Sequence, residues 1–240
     1  SRIETFAGCA YKHFLRYGLG IDKRTQSEAD NMDFGNLFHD ALKRFGLFVK
    51  ASGNNWKEFT DEICEISAKE CFHEALNSYK DGLYVGDAAK EQLSKRMEKV
   101  MVTTVKALVK QIQAGDYEPY LYEYAFNIPG KFTNLSGKID RIDIYRENGK
   151  TYLKILDYKT GGSTIDYVKL YYGLQLQLMV YMNSMVNSDK FMDSIPAAVL
   201  YQEVTDPSLE EPKDVEREKL LSLRPSGVIP GGINEIAHFD

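Results

Sequence analysis

Cysteine is scarce in this chain: three residues, Cys9, Cys64 and Cys71, in 240. An odd, unevenly spaced set excludes a disulfide framework. With no basic-then-apolar secretory signal at the start, it fits a reducing, cytoplasmic setting. No stretch approaches the ~18 uninterrupted apolar residues of a membrane helix, so no membrane association is expected. A Gly-x-x-x-x-Gly-Lys-Ser/Thr loop is missing, which excludes a P-loop ATPase motor within these residues. There is no internal repeat and no low-complexity tract. Nor is there an excess of basic charge: 30 Lys and Arg against 35 Asp and Glu leave a net charge of −5. A global positive field for nucleic acid is therefore lacking. Binding needs only a local basic stripe, however, and a carboxylate-rich metal site itself lowers the total. The chain opens on Ser1 rather than Met, as a processed terminus or a fragment of a larger protein would.

What is present is ordinary for a globular chain, 43% hydrophobic and 27% charged, with length for one large domain or two small ones. The first 115 residues read as helical. Ser1 can cap a helix carrying Ile3, Phe6, Ala10 and Phe14 on one face, and a polar connection with Gly18 and Gly20 follows. Asp33 can cap a second helix that buries Phe34, Leu37, Phe38, Ala41, Leu42, Phe45 and Phe48. Residues 55–80 and 87–114 predict two more, separated by the Asp81-Gly82 and Val85-Gly86 turns and ended by Gly115. The texture then changes. Residues 120–128 alternate and are aromatic, and 135–146 and 151–158 predict two further strands joined by a hairpin at Glu147-Asn148-Gly149-Lys150. Residues 165–187 return to helical spacing, with Leu170, Leu174, Leu178, Tyr181 and Met185 as the stripe, and 195–204 predict a strand. Residues 205–225, poorly periodic, read as a loop. The whole is α+β: a helical part over 1–118, a core over 119–204, and a C-terminal excursion over 205–240.

Four local patterns carry chemistry. In Ile155-Leu156-Asp157-Tyr158-Lys159, strand alternation sends Asp157 and Lys159 to one side, behind Leu153 and Ile155. A carboxylate for a divalent metal and an ammonium for a phosphate suit phosphodiester hydrolysis; a surface salt pair is the plainer alternative. Lys154, three residues before Asp157, points the other way and should be dispensable. Asp140 shares its face with Ile142 and Ile144, where an unpaired acid would be costly. A metal shared with Asp157 would satisfy it, and so would a salt bridge to Arg141 or Lys138, although both neighbours point away. Asp143 lies on the opposite face, as a solvated or structural acid. His39 sits one turn beyond Gly35 in the second helix, and a glycine there, costing roughly 1 kcal/mol against alanine, would allow a strand or substrate to approach the imidazole. Gln177 and Tyr181, one turn apart, can hydrogen-bond phosphate, a DNA backbone or the lysine.

These patterns, in this order, resemble the PD-(D/E)xK nucleases, and within them the RecB-type nuclease domains: Gly35-x-x-x-His39, then Gly137-x-Ile139-Asp140-Arg141-x-Asp143, then Asp157-Tyr158-Lys159, then Gln177-x-x-x-Tyr181. The opening Cys9-Ala10-Tyr11-Lys12-His13-Phe14-Leu15-Arg16-Tyr17-Gly18-Leu19, the run Gly173 to Leu178, and Gly227-Val228-Ile229 with Asp240 are similar to the AddB-type branch of helicase–nuclease subunits. The resemblance implies a restriction-endonuclease-like core, a mixed sheet flanked by helices. It implies Mg²⁺ or Mn²⁺ held by His39, Asp140, Asp157 and the Tyr158 carbonyl, with Lys159 catalytic. Gln177 and Tyr181 would be accessory catalytic and DNA-contacting groups, and Arg141 a further DNA contact. The partners implied are DNA and an AddA-like subunit, with the helicase motor elsewhere, in recombinational double-strand-break repair.

One departure matters. In that branch an iron–sulfur cluster ties the ends of the domain through an early cysteine and a late trio. Cys9 fits the early place, but Ala10 stands where proline is usual and no cysteine follows Cys71. With three of four ligands missing the chain cannot hold the cluster, which is expected only in an intact longer protein. The N-terminal helix or the C-terminal tail should then be loosely held. A stand-alone RecB-type nuclease, of the CRISPR-adaptation or phage exonuclease kind, and a non-catalytic DNA-binding module are the competing readings.

Overall fold

The computed structural model describes residues 1–21, 31–53, 56–79, 88–129, 134–162, 164–207, 214–230 and 238. The Asp81-Gly82 and Val85-Gly86 turns, the side chain of Asp33 and Asp240 lie outside them, as does the middle of the 205–225 excursion. Among the described residues no helix is long and apolar enough to cross a membrane.

Five strands make one mixed sheet: β1 (Glu118–Ile128), β2 (Leu135–Glu147), β3 (Lys150–Lys159), β4 (Ile195–Glu203) and β5 (Ser226–Val228), side by side in chain order. All neighbours are antiparallel except β3 and β4, which are parallel. A parallel pair needs a crossover, and here helices provide it between Lys159 and Ile195. The fold is the α+β arrangement that the hydrophobic pattern predicts. The N-terminal part forms α1 (Arg2–Gly8), α2 (Ala10–His13), a short π-helix over Phe14–Gly18, then α3 (Asn31–Ala51), α4 (Asp61–Ser78) and α5 (Ala88–Ala114). The crossover carries α6 (Tyr167–Tyr171) and α7 (Gln177–Val186), and α8 (Val215–Ser222) precedes β5.

Two apolar cores lie on the two faces of the sheet. On one, Leu37, Phe38, Leu42 and Phe45 of α3 meet Phe72 of α4, Met101 and Val105 of α5, and Tyr158 from β3. On the other, Leu178, Met182 and Met185 of α7 cover Ile142, Ile144, Leu153 and Ile155. The predicted faces of β2 and β3 are thus the ones α7 buries. The opposite face of the same strands holds a buried ion network. Arg141 donates to Asp143 through Nε (2.8 Å) and Nη2 (2.9 Å), and Lys154 Nζ lies 3.2 Å from the same carboxylate. Asp143 is therefore structural rather than solvated. Lys154 does point away from Asp157, as expected, and is 11% exposed in its ion pair with Asp143, so its replacement would test stability as well as cleavage.

Three expectations need correction. The first predicted helix breaks at Cys9, which has an extended backbone, and its apolar face is not buried: Phe6 and Phe14 are both more than half exposed. The predicted helix over 165–187 is two helices, because Gly173 turns at φ 73° between them. Gln175 bridges that break, its amide bonding the Asp166 nitrogen and the Thr164 carbonyl. The 205–225 stretch is not all loop: Asp214 caps α8 by accepting from the Arg217 nitrogen, and Asp206 pairs with Lys99 and Lys219.

Gly35 faces Thr160, the residue directly after β3, at ordinary contact distance, and the tightest glycine approach on α3 is at Gly46. A methyl group at Gly35 would meet only the Thr160 hydroxyl at an ordinary 3.7 Å, whereas one at Gly46 would run into the Tyr122 ring of β1. Gly46→Ala should cost ~1–3 kcal/mol as an overpacked contact between α3 and the sheet. That is a melting temperature lower by about 2–12 °C at this chain length. Gly35→Ala should hold or raise it, by up to ~1 kcal/mol of helix propensity. Equal melting of wild type and Gly46→Ala would refute the packing argument.

Candidate active site

The strand register sets the site. β2 pairs with β3 through Arg141↔Leu156, so the next step places Asp140 opposite Asp157. β1 pairs with β2 through Tyr122↔Arg141 and Tyr124↔Ile139, and between them Glu123 faces Asp140. Three carboxylates, Glu123, Asp140 and Asp157, thus form one row across three adjacent strands. Like charges directly opposite on a sheet repel. Asp140 and Asp157 are also buried, 6% and 1% exposed, and Glu123 is half-buried with its side chain 8% exposed. Such a row stands only where positive charge compensates it.

The compensating groups come from three directions. His39, on α3, brings Nδ1 to 3.1 Å from Asp140 Oδ1 and Nε2 to 3.1 Å from the Tyr158 carbonyl. Burial works against a charged imidazole, but Asp140 and Glu123 outweigh it and push the His39 pKa up to about 10. Both ring nitrogens then donate. Lys138 pairs with Glu123 and Lys159 with Asp157. Burial, and next the charge of Asp140, push the Asp157 carboxyl up to about 6. The fourth contact is from α7: Gln177 Nε2 donates to Asp157 Oδ1 (2.8 Å) and to Tyr181 Oη (3.0 Å). Asp140 Oδ2 accepts the Tyr158 amide at 2.7 Å, so a side chain takes the place of a ladder carbonyl where the strands enter the site.

The structure therefore brings His39, Asp140, Asp157, the Tyr158 carbonyl, Lys159, Gln177 and Tyr181 together. It does not bring Arg141 to them as a surface group. Arg141 is 2% exposed and its guanidinium is engaged by Asp143 and the Tyr158 hydroxyl, so the DNA-contact expectation for it is corrected. Nor does Arg141 or Lys138 neutralise Asp140.

Glu123 is the site residue that sequence reasoning missed. Its backbone is left-handed at φ 48°, in the interior of β1. A non-glycine residue held there costs of order 1–3 kcal/mol, and such strain gathers at functional positions. A polar residue inside the alternating aromatic run 120–128 was the only signal for it.

These residues fit a divalent cation. Ligand atoms of His39, Glu123 and Asp140 lie within 4.8 Å of one another. Glu123 Oε1 is buried without a hydrogen bond, its nearest approach to His39 Nδ1 a long 3.5 Å. The donor set, carboxylate oxygens with one imidazole, suits a hard or borderline ion. Ligation by His39 would require Nδ1 without its proton.

The chain matches the family model of the PD-(D/E)XK nuclease superfamily over residues 1–228. It belongs to that superfamily. Curated relatives include an ATP-dependent helicase/deoxyribonuclease subunit of Lachnoclostridium phytofermentans, 35% identical over 95% of this chain and 20% of the relative. The subunit of the same name from Exiguobacterium sibiricum is 33% identical over 95% of this chain and 22% of the relative. That from Clostridioides difficile is 29% identical over 95% and 22%. The chain thus spans about a fifth of the length of these relatives.

An iron–sulfur cluster does not fit the thiols present. Cys9 is exposed, its Sγ accepting from the Lys12 nitrogen at the start of α2. Cys64 and Cys71 are buried on α4 among apolar side chains, and burial pushes both thiols up to about 11, away from the thiolate a cluster needs.

Proposed function

We propose that this chain is the nuclease part of a helicase–nuclease subunit and hydrolyses DNA phosphodiester bonds with a divalent metal, Mg²⁺ or Mn²⁺. The single observation that carries this reading is the buried row Glu123, Asp140 and Asp157 with His39 at one side and Lys159 at the other. His39, Glu123, Asp140, Asp157 and the Tyr158 carbonyl would hold the cation. When bound, it supplies an activated water and neutralises phosphate charge. The chain's own groups do the rest. The Lys159 ammonium, partly exposed beside Asp157, is placed to offset negative charge developing on the phosphate. Gln177 fixes one oxygen of Asp157 and the Tyr181 hydroxyl. Tyr181, half-buried against Phe126, sets the wall of the site.

We read residues 1–118, 119–204 and 205–240 as parts of one working unit, because α3 supplies His39 while the strands supply the acids. Similarity to subunits named helicase/deoxyribonuclease over nearly all of this chain supports the helicase-associated branch over a stand-alone nuclease. DNA is then the substrate and an AddA-like subunit the partner, in the cytoplasm, during recombinational repair. Incubating the chain with linear DNA and Mg²⁺ or Mn²⁺ should give cleavage that chelation abolishes and readdition of the metal restores. DNA binding without cleavage under either metal would favour a non-catalytic module and overturn this reading.

A further inference from the structure

Helix α7 starts without a cap of its own. Its N-cap residue, Leu176, makes no side-chain hydrogen bond to the first turn, and the preceding segment turns at Gly173. The first N–H groups of a helix have no intrahelical partner, and the helix dipole favours a negative group there. That group comes from the other end of the chain. Glu4 Oε1, on α1, accepts from the Leu176 nitrogen at 2.7 Å and from the Gln177 nitrogen at 3.0 Å, across 172 and 173 residues of sequence.

Gln177 is the first residue of α7, and its amide reaches Asp157. We propose that Glu4 is a positioning residue: it caps α7 from the N-terminal helix and thereby holds the Gln177 amide on the Asp157 carboxylate. The consequence for cleavage rests on the nuclease reading above; the contact itself does not.

Three further observations support the assignment. First, α1 buries no residue of its own, so burial of apolar side chains does not account for its position. Second, it lies against the turn before α7: a methyl group at Gly173 would meet Ala7 Cβ at 3.6 Å, and one at Gly8 would meet Leu174 at 3.5 Å. Third, the Glu4 side chain is itself oriented by a reciprocal capping box: the Ser1 nitrogen donates to Glu4 Oε2 at 2.9 Å, while the Ser1 hydroxyl accepts from the Glu4 backbone nitrogen at 3.3 Å. One carboxylate therefore closes α1 on itself and clamps it to α7.

The test combines amide exchange with a cleavage cycle on the full chain. Glu4→Ala should speed hydrogen exchange at the Leu176 and Gln177 amides by about 10–100-fold, the loss expected for hydrogen bonds to a charged acceptor. The rest of α7 should keep its protection. The side-chain amide signals of Gln177 should move toward free-amide positions. In cleavage, Glu4→Ala should lower kcat by about 10–100-fold, as small misplacement of an active-site group does, with KM for DNA nearly unchanged. In a Gln177→Ala background, Glu4→Ala should add almost nothing, because the two act through one contact. Glu4→Gln keeps an acceptor oxygen and should recover most of kcat. Unchanged exchange at Leu176 and Gln177 would overturn the proposal, as would equal losses from Glu4→Ala in both backgrounds. If the wild type does not cleave DNA at all, the nuclease reading fails, and the exchange and amide signals still decide for or against the clamp.

Discussion

Lys159→Ala is expected to cut DNA about 10²–10³-fold more slowly than the wild type at saturating metal, the usual cost of one charge-stabilising group. DNA affinity and metal affinity should change little. The Lys159 side chain is 29% exposed at the mouth of the site and pairs there with Asp157 Oδ2. Removing it leaves Asp157 with its second contact, the Gln177 amide at 2.8 Å, so the carboxylate keeps its orientation. A group whose interaction strengthens only as charge builds on the phosphate lowers the rate without weakening the ground-state complex. Asp157→Ala should differ in kind: it deletes a proposed oxygen ligand, so metal titrations should shift as well as the rate. The matched control is Lys150, exposed at the hairpin end of the same strand, whose replacement should leave cleavage intact. Lys154 is unsuitable, being tied to buried Asp143 on the far face. Wild-type rates from Lys159→Ala would remove the lysine from the chemistry.

How legible this site is in the sequence depends on which contacts are local. The Asn148-Gly149 hairpin sets Glu147 against Lys150, and counting back along both strands brings Asp140 opposite Asp157. Alternation alone then gives the face shared by Asp157 and Lys159, and the spacing of Gln177 and Tyr181 survives the break in their helix because both lie beyond it. Glu123 was not legible. Pro129-Gly130 is a turn signal after β1, but the connection to β2 runs over residues 129–134, so no two-residue hairpin fixes the Ile128–Leu135 pairing from which Glu123 counts to Asp140. Its left-handed backbone is imposed by tertiary context against local preference. Glu4 is hidden for a different reason: its acceptor role depends on a helix start formed far along the chain. The capping box with Ser1, a local pattern, was readable; the second job of the same carboxylate was not. Gly35 and Gly46 show the converse. Both lie in one helical run, and which of them faces a neighbouring ring follows from how α3 lies on the sheet, not from spacing.

Arg141→Met should unfold or strongly destabilise the domain rather than weaken DNA binding. The Arg141 guanidinium is buried, bidentate on Asp143 at 2.8 and 2.9 Å, with Nη1 reaching the Tyr158 hydroxyl at 3.4 Å. Burial disfavours its charge, but Asp143 more than offsets that, and its pKa is raised. Removing the cation leaves Asp143, fully buried, with Lys154 as the remaining ion partner. Breaking a buried pair from one side costs ~3–5 kcal/mol, because the surviving charge stays desolvated. For a chain of this length that is roughly 6–20 °C in melting temperature. The loss has a further consequence for the site, since Tyr158 lies between the network and the active centre: its hydroxyl meets Arg141, while its amide and carbonyl meet Asp140 and His39. Replacing Arg141 and Asp143 together with apolar residues should recover much of the stability, because a buried pair exchanged for packed hydrophobic groups is often neutral. Thermal melts of the single and double variants, beside DNA-binding titrations, separate the two roles. A well-folded Arg141→Met with wild-type melting and reduced DNA affinity would return Arg141 to the DNA surface. Low stability in the single variant, rescued in the double, places it in the scaffold that holds Tyr158 in position.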